Sequence, residues 1–148
     1  MYNIIRTKIN LLIAAVNATI TGTDNDLKEV DTLLDADNLP ANLRNNAYQI
    51  KLESVDCDEF ESDIFEKVKV TIELFFLIAK ARGNYTTVID TYIRPLKRQL
   101  QQMTIYETTS YCINGIEDIN ITGLNKFKGG GNYMTPSISF NLNCSDIS

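Results

Sequence analysis

The chain of 148 residues contains no histidine and no tryptophan. The first absence removes the side chain most often used as a general base near neutral pH, and with it the commonest metal ligand. Cysteine is scarce as well: Cys57, Cys112 and Cys144 are odd in number, far apart and without a C-x-x-C pair. That spacing excludes a dense disulfide framework and a four-ligand zinc site, and it predicts neutral thiols in a reducing compartment. Basic residues are outnumbered, with 14 Lys+Arg against 19 Asp+Glu and a net charge of −5. Tight non-specific binding to nucleic acid or to anionic membranes needs the opposite balance. Long hydrophobic runs are missing too. The run from Ile9 to Ala18 is interrupted by Asn10 and Asn17 and falls well short of the ~20 apolar residues that span a bilayer.

That run follows Arg6 and Lys8, an order that resembles a signal peptide. Its periodicity points elsewhere. Ile5, Ile9, Leu12, Ile13, Val16 and Ile20 recur at helical spacing, which predicts an amphipathic core helix over residues 2–19, stopped near Gly22.

Hydrophobic residues make up 44% and charged residues 22%, an ordinary globular composition that fits a single domain over residues 1–148. Asp26 and Glu29 have the D-x-x-E spacing of a capping box, which predicts a short helix over 26–35, ended before Pro40. Period-two alternation follows in Tyr48, Ile50 and Leu52, and again in Val68, Val70, Ile72, Leu74, Phe76 and Ile78. Two such strands joined by a polar connection predict a long antiparallel hairpin. Phe75 and Leu77 break the polar face of the second strand, so that end is expected to be covered on both sides.

Arg82-Gly83-Asn84 reads as a turn, and a helical stripe follows: Val88, Ile89, Tyr92, Ile93, Leu96, Leu100 and Met103. Pro95 is expected to kink that helix or begin a new one. A third strand is expected over 110–121, with Asn114-Gly115 as a candidate hairpin turn. Gly129-Gly130-Gly131 reads as a flexible tip, and a last strand runs from Tyr133 through Leu142. The fold class expected is α+β in two layers: a mainly antiparallel four-stranded sheet, helices packed on one face, and a long β-hairpin arm.

Candidate chemistry is thin. The acidic stretch Asp56, Asp58, Glu59, Glu61 and Asp63 has no EF-hand spacing, and Asp24-Asn25-Asp26 lacks the glycine and distant glutamate of such a loop. It reads as a solvated hairpin tip. The glycine run flanked by Lys126 and Lys128 lacks the phosphate-loop pattern and reads as a hairpin loop. Arg94, Lys97 and Arg98 read as a solvated helix face or a subunit contact. No serine, threonine or cysteine has an identifiable base. No catalytic, cofactor or metal site is therefore expected, and the chain reads as a non-enzyme.

In order and spacing the chain resembles the tail terminator and head–tail joining proteins of long-tailed bacteriophages. The resemblance lies in an N-terminal helix, the Pro-containing connector Asn38-Leu39-Pro40-Ala41-Asn42-Leu43, a strand beginning Ala47-Tyr48-Gln49-Ile50, and the long strand Val68 to Ala79. A helix with Tyr92-Ile93-Arg94-Pro95 then precedes the closing strand, so that about residues 1–144 are covered. The short helix at 26–35 and the polar stretch 104–131 depart from the family's pattern.

The resemblance implies a structural virion protein, assembled in the host cytoplasm and placed at the head–tail junction. It implies a homo-oligomeric ring of about six subunits that caps the tail tube and joins it to head-completion or neck proteins. Genomic DNA would pass through the lumen without specific binding, and no membrane is involved. A head-closure or tail-tube protein, and a non-viral adaptor that binds a peptide at its sheet edge, are the alternative readings. From the sequence pattern, the expected contact residues are Asp56, Asp58, Glu59 and Glu61 of the tip, Phe75 and Leu77 of the long strand, and Lys126, Lys128 and Tyr133 around the glycine loop.

Overall fold

Strict alternation organises the centre of the molecule. Val68, Val70, Ile72 and Leu74 are fully buried, while Lys67 and Lys69 between them are exposed. A strand presents successive side chains to opposite faces, so this pattern can be satisfied only if one face of the sheet is covered and the other open. The computed structural model describes residues 1–20, 22, 25–30, 46–57, 65–77, 83–128 and 133–147.

In chain order the elements are α1 (Tyr2–Asn17), β1 (Lys28–Glu29), β2 (Ala47–Cys57), β3 (Phe65–Leu77), α2 (Gly83–Val88), a π-helical turn (Ile89–Ile93) and α3 (Arg94–Gln101). They are followed by β4 (Tyr106–Glu107), β5 (Tyr111–Thr122), β6 (Phe127–Lys128), β7 (Tyr133–Met134) and β8 (Ser137–Asp146). The fold is mixed α+β. The sheet has eight strands in the order β1-β2-β3-β8-β5-β4, with the β6–β7 ribbon attached to the end of β3. The expected four strands are its long members, β2, β3, β8 and β5, each antiparallel to the next. The sequence reading of four strands missed two-residue strands, which are too short to show a period.

Both helical segments join one core. Ile5, Ile9, Leu12, Ile13 and Val16 of α1 and Leu96 and Leu100 of α3 belong to the same buried cluster as Ile50, Ile72, Phe140 and Ile113 of the sheet. Tyr48 donates its hydroxyl to Asn10 Oδ1 at 2.7 Å, tying α1 to β2.

Several expectations are corrected. The hairpin β2–β3 is present, in register from Ala47↔Phe75 to Cys57↔Glu66. It is no free arm among the described residues, because β8 pairs along the other side of β3 from Phe65 to Glu73. The expected short helix over 26–35 is absent where it is described. Lys28 and Glu29 are extended and pair in parallel with Ala47 and Tyr48; residues 31–35 lie outside the described residues. Tertiary partners outweigh the local cap. The Asn17 side chain both accepts from Leu27 N–H at 2.8 Å and donates to Leu27 C=O at 3.1 Å. Glu29 is drawn to Arg6, whose Nε donates to it at 2.6 Å, instead of folding back on a helix start.

Gly83 and Asn84 open α2 rather than forming a turn. Asn114-Gly115 is not a hairpin turn either. β5 runs straight through it, with a register shift between Ile113 and Gly115 and a second between Glu117 and Asn120. The last strand is divided at Thr135-Pro136, where Pro136 has no N–H for a ladder yet its carbonyl accepts from Leu74 N–H at 2.9 Å. Gly123 is held by both conformation and space: its φ is +73°, and a Cβ there would lie 3.0 Å from the Thr135 carbonyl oxygen.

Pro95 acts as expected but through an unforeseen device. The buried stripe Val88, Tyr92, Leu96, Leu100 is spaced by four, and each four-residue step overshoots a regular α-helical turn by about 40°. The wider π-helical turn Ile89–Ile93, directly before α3 with its early Pro95, takes up part of that drift and keeps Leu96 and Leu100 facing the sheet.

Candidate functional site

The open face of the sheet carries Lys67, Lys69, Thr71 and Glu73 of β3 beside Asn143, Asn141, Ser139 and Ser137 of β8. Its charges are largely paired across strands: Lys67 with Glu117 at 2.6 Å and Lys51 with Glu73 at 3.0 Å. Among the described residues of β3, apolar side chains appear on this face only towards the two ends. Phe65, the first residue, is 50% exposed, and Leu77, the last, is 44% exposed. Both have the parity of Lys67 and Lys69, so they stand on the open face.

The Leu77 end gathers several of the sequence candidates. Leu77 pairs with Tyr133 of β7, and Tyr133 pairs with Lys128 of β6. Lys126 and Phe127 are both exposed beside them, and the Phe127 ring lies 6.5 Å from that of Tyr85. Four expected contact residues, Leu77, Lys126, Lys128 and Tyr133, are thus brought together by strand pairing from positions far apart in sequence. Phe75 is not with them. It is 1% exposed and packs with Ala47 and Val30 in its own small cluster, so Val30, directly after β1, closes over the polar-face break that drew attention to it. Asp58, Glu59 and Glu61 lie outside the described residues.

The Phe65 end is different. A cleft of about 470 Å³ opens there, lined by Asp56, Cys57, Phe65, Glu66, Lys67 and Cys144, among others. Three of these form one row across the sheet, Cys57↔Glu66↔Cys144. Tyr111, 2% exposed, donates its hydroxyl to Glu66 Oε1 at 2.5 Å. Burial holds the Tyr111 phenol well above its usual range, reinforced by Cys144 and Glu66. Burial likewise pushes the Cys144 thiol up to about 11, with the Tyr111 hydrogen bond opposing and Glu66 adding to the rise. The Lys67 ammonium is raised by its hydrogen bond and charge pairing with Glu117, then by Asp118 and Asp56. Carboxylates dominate the field at this end.

The thiols give a direct check on this geometry. Cys57 is exposed and Cys144 buried. In the single folded chain at high dilution, alkylation at neutral pH is expected to label Cys57 within minutes, while Cys144, buried and thiolate-poor, reacts at least ~100-fold more slowly until the protein is unfolded. Mass-spectrometric mapping of the label reads the outcome; fast labelling of Cys144 in the folded protein would contradict the arrangement.

Arg94, Lys97 and Arg98 are all exposed on the solvent side of α3. Among the described residues, no cluster of three or more Cys, Asp or Glu side chains could hold a metal ion, and no helix is long and apolar enough to cross a membrane. The exposed Phe65 and Phe127 escaped the sequence reading. Phe65 was legible in principle, since it falls in phase with Lys67 and Lys69 and not with the core. The exposure of Phe127 follows from the β6–β7 pairing and has no local signature.

The two outer long strands are both irregular. β2 carries a bulge between Leu52 and Ser54, and β5 has two; the inner pair β3–β8 is in unbroken register. Bulges twist an outer strand away from the flat geometry that another strand would need for pairing. The chain matches no protein-family model and no curated protein.

Proposed function

We propose that this chain is a structural virion subunit that closes into a ring at the head–tail junction of a long-tailed bacteriophage, capping the tail tube and joining it to head-completion proteins. The observation that carries the reading is the pair of unlike surfaces at opposite ends of the sheet, apolar and acidic at Phe65, apolar and basic at Leu77. Unlike patches meet head to tail, and head-to-tail contacts close into rings when the rotation between subunits allows it. The order of elements that resembles the tail terminators supplies the location. A net charge of −5 suits a lumen through which DNA slides without adhering. The bulged outer strands weigh against an adaptor that adds a peptide strand to its sheet edge.

The test is the solution mass by light scattering over a range of concentrations, followed by negative-stain images. A discrete ring of about six subunits is the expected result. Open-ended tubes would overturn it in favour of a tail-tube subunit, and a monomer that neither assembles at its highest soluble concentration nor binds tube ends would overturn ring formation altogether.

A further inference from the structure

Phe127 is 44% exposed, an unusual position for a phenylalanine on a two-residue strand, and it is flanked in sequence by Lys126 and Lys128. The cleft at the other end of the sheet has complementary properties: an apolar wall in Phe65, an acidic rim in Asp56, and a volume of about 470 Å³, ample for one aromatic ring. Lys67, the basic residue among the described lining, is ion-paired with Glu117 and also feels Asp118.

Phe127 cannot reach the cleft of its own chain. It aligns through Met134 with Phe76 of β3, whereas the cleft is at Glu66, ten residues and about 33 Å away along the strand. We infer that the cleft at Asp56 and Phe65 receives Phe127 of a second copy of this chain, with Lys126 of that copy meeting the acidic rim. This assignment rests on the ring reading and names its contact: a buried aromatic anchor with charges at the rim, the arrangement in which a few residues carry most of the binding energy. Because donor and receiver are different surfaces, each subunit offers both, and the contact repeats around a closed ring.

Cys57 lines the same cleft and is exposed in the single chain, so its alkylation reports occupancy. In the assembled wild-type protein, kept reduced, Cys57 is expected to be shielded and to become reactive on dilution. Phe127→Asp is expected to weaken subunit association at least ~30-fold and to restore Cys57 labelling. Lys126→Glu and Asp56→Lys are each expected to weaken association, and the double variant to recover much of it; this recovery separates loss of contact from loss of fold. Far-UV circular dichroism checks that each variant is folded. A ring whose mass and Cys57 labelling are indifferent to Phe127→Asp would overturn the contact while leaving ring formation standing. A wild-type chain that stays monomeric with Cys57 fully reactive would overturn both.

Discussion

Replacing Phe140 by alanine is expected to lower the free energy of unfolding by about 3–5 kcal/mol, while Asn141→Ala, one position on, changes it by less than ~1 kcal/mol. Phe140 is 1% exposed at the middle of β8, paired with Val70 of β3 and part of the same buried cluster as the apolar side chains of α1 and α3. Its removal empties a site that close-packed neighbours can fill only in part, so the cavity adds to the lost transfer energy. Asn141 faces the open side and donates only to Asp118 Oδ2, at 2.9 Å, in an exposed pair. Urea titrations of both variants at fixed pH measure the contrast. Equal losses would mean that the two faces of β8 are both covered.

The second large effect is a loss of stability on the alkaline side. Cys144 and Tyr111 both hold their protons more tightly in the folded chain than in the unfolded one, chiefly because burial opposes the charged form. The folded state then benefits fully only below the unfolded values, 9.0 for the thiol and 10.0 for the phenol. Above them, the unfolded chain releases protons that the folded chain retains, and stability falls as pH rises. For Cys144 the fall runs from 9.0 to about 11; for Tyr111 it begins near 10.0 and continues upward. Tyr111→Phe is expected to cost about 1.5–3 kcal/mol at neutral pH, since it removes the hydrogen bond to the Glu66 carboxylate. It is also expected to shallow the pH dependence above 10.0. Urea midpoints at neutral pH and at two alkaline values decide it; an unchanged alkaline slope in the variant would show that Tyr111 ionises freely.

The parts of the fold that were legible in the sequence are those in which one physical rule acts alone. The stripe Ile5, Ile9, Leu12, Ile13, Val16 becomes the buried side of α1, and the alternation from Val68 to Phe76 becomes the core side of β3. Misreadings arise where a distant partner overrides a local signal. Asp26 and Glu29 have the spacing of a helix cap, yet Arg6 and Asn17 of α1 hold that segment extended against β2. Asn114-Gly115 has the composition of a tight turn, but β8 pairs on both sides of it and leaves only a bulge. The candidate contact surfaces follow the same division. Leu77 was visible as a break in alternation, and so was Phe75, but only the structure distinguishes the exposed residue from the one beneath Val30. The approach of Lys128 and Tyr133 to Leu77 is a product of pairing order, which no local pattern encodes.

The π-helical turn Ile89–Ile93 holds about one residue more than an α-helix would fit between Val88 and Leu96 while both stay buried. Each α-helical residue advances the side chains by about 100° around the axis. Loss of one residue from this turn would therefore leave seven α-helical steps, about 700°, between the two and keep Leu96 facing the sheet. Loss of one residue from α3 ahead of Leu96, where no such slack exists, would instead swing the downstream face away. Related chains that keep the fold are expected to vary freely in residue type at Asp90, and single-residue gaps in their alignments are expected to fall within residues 89–93.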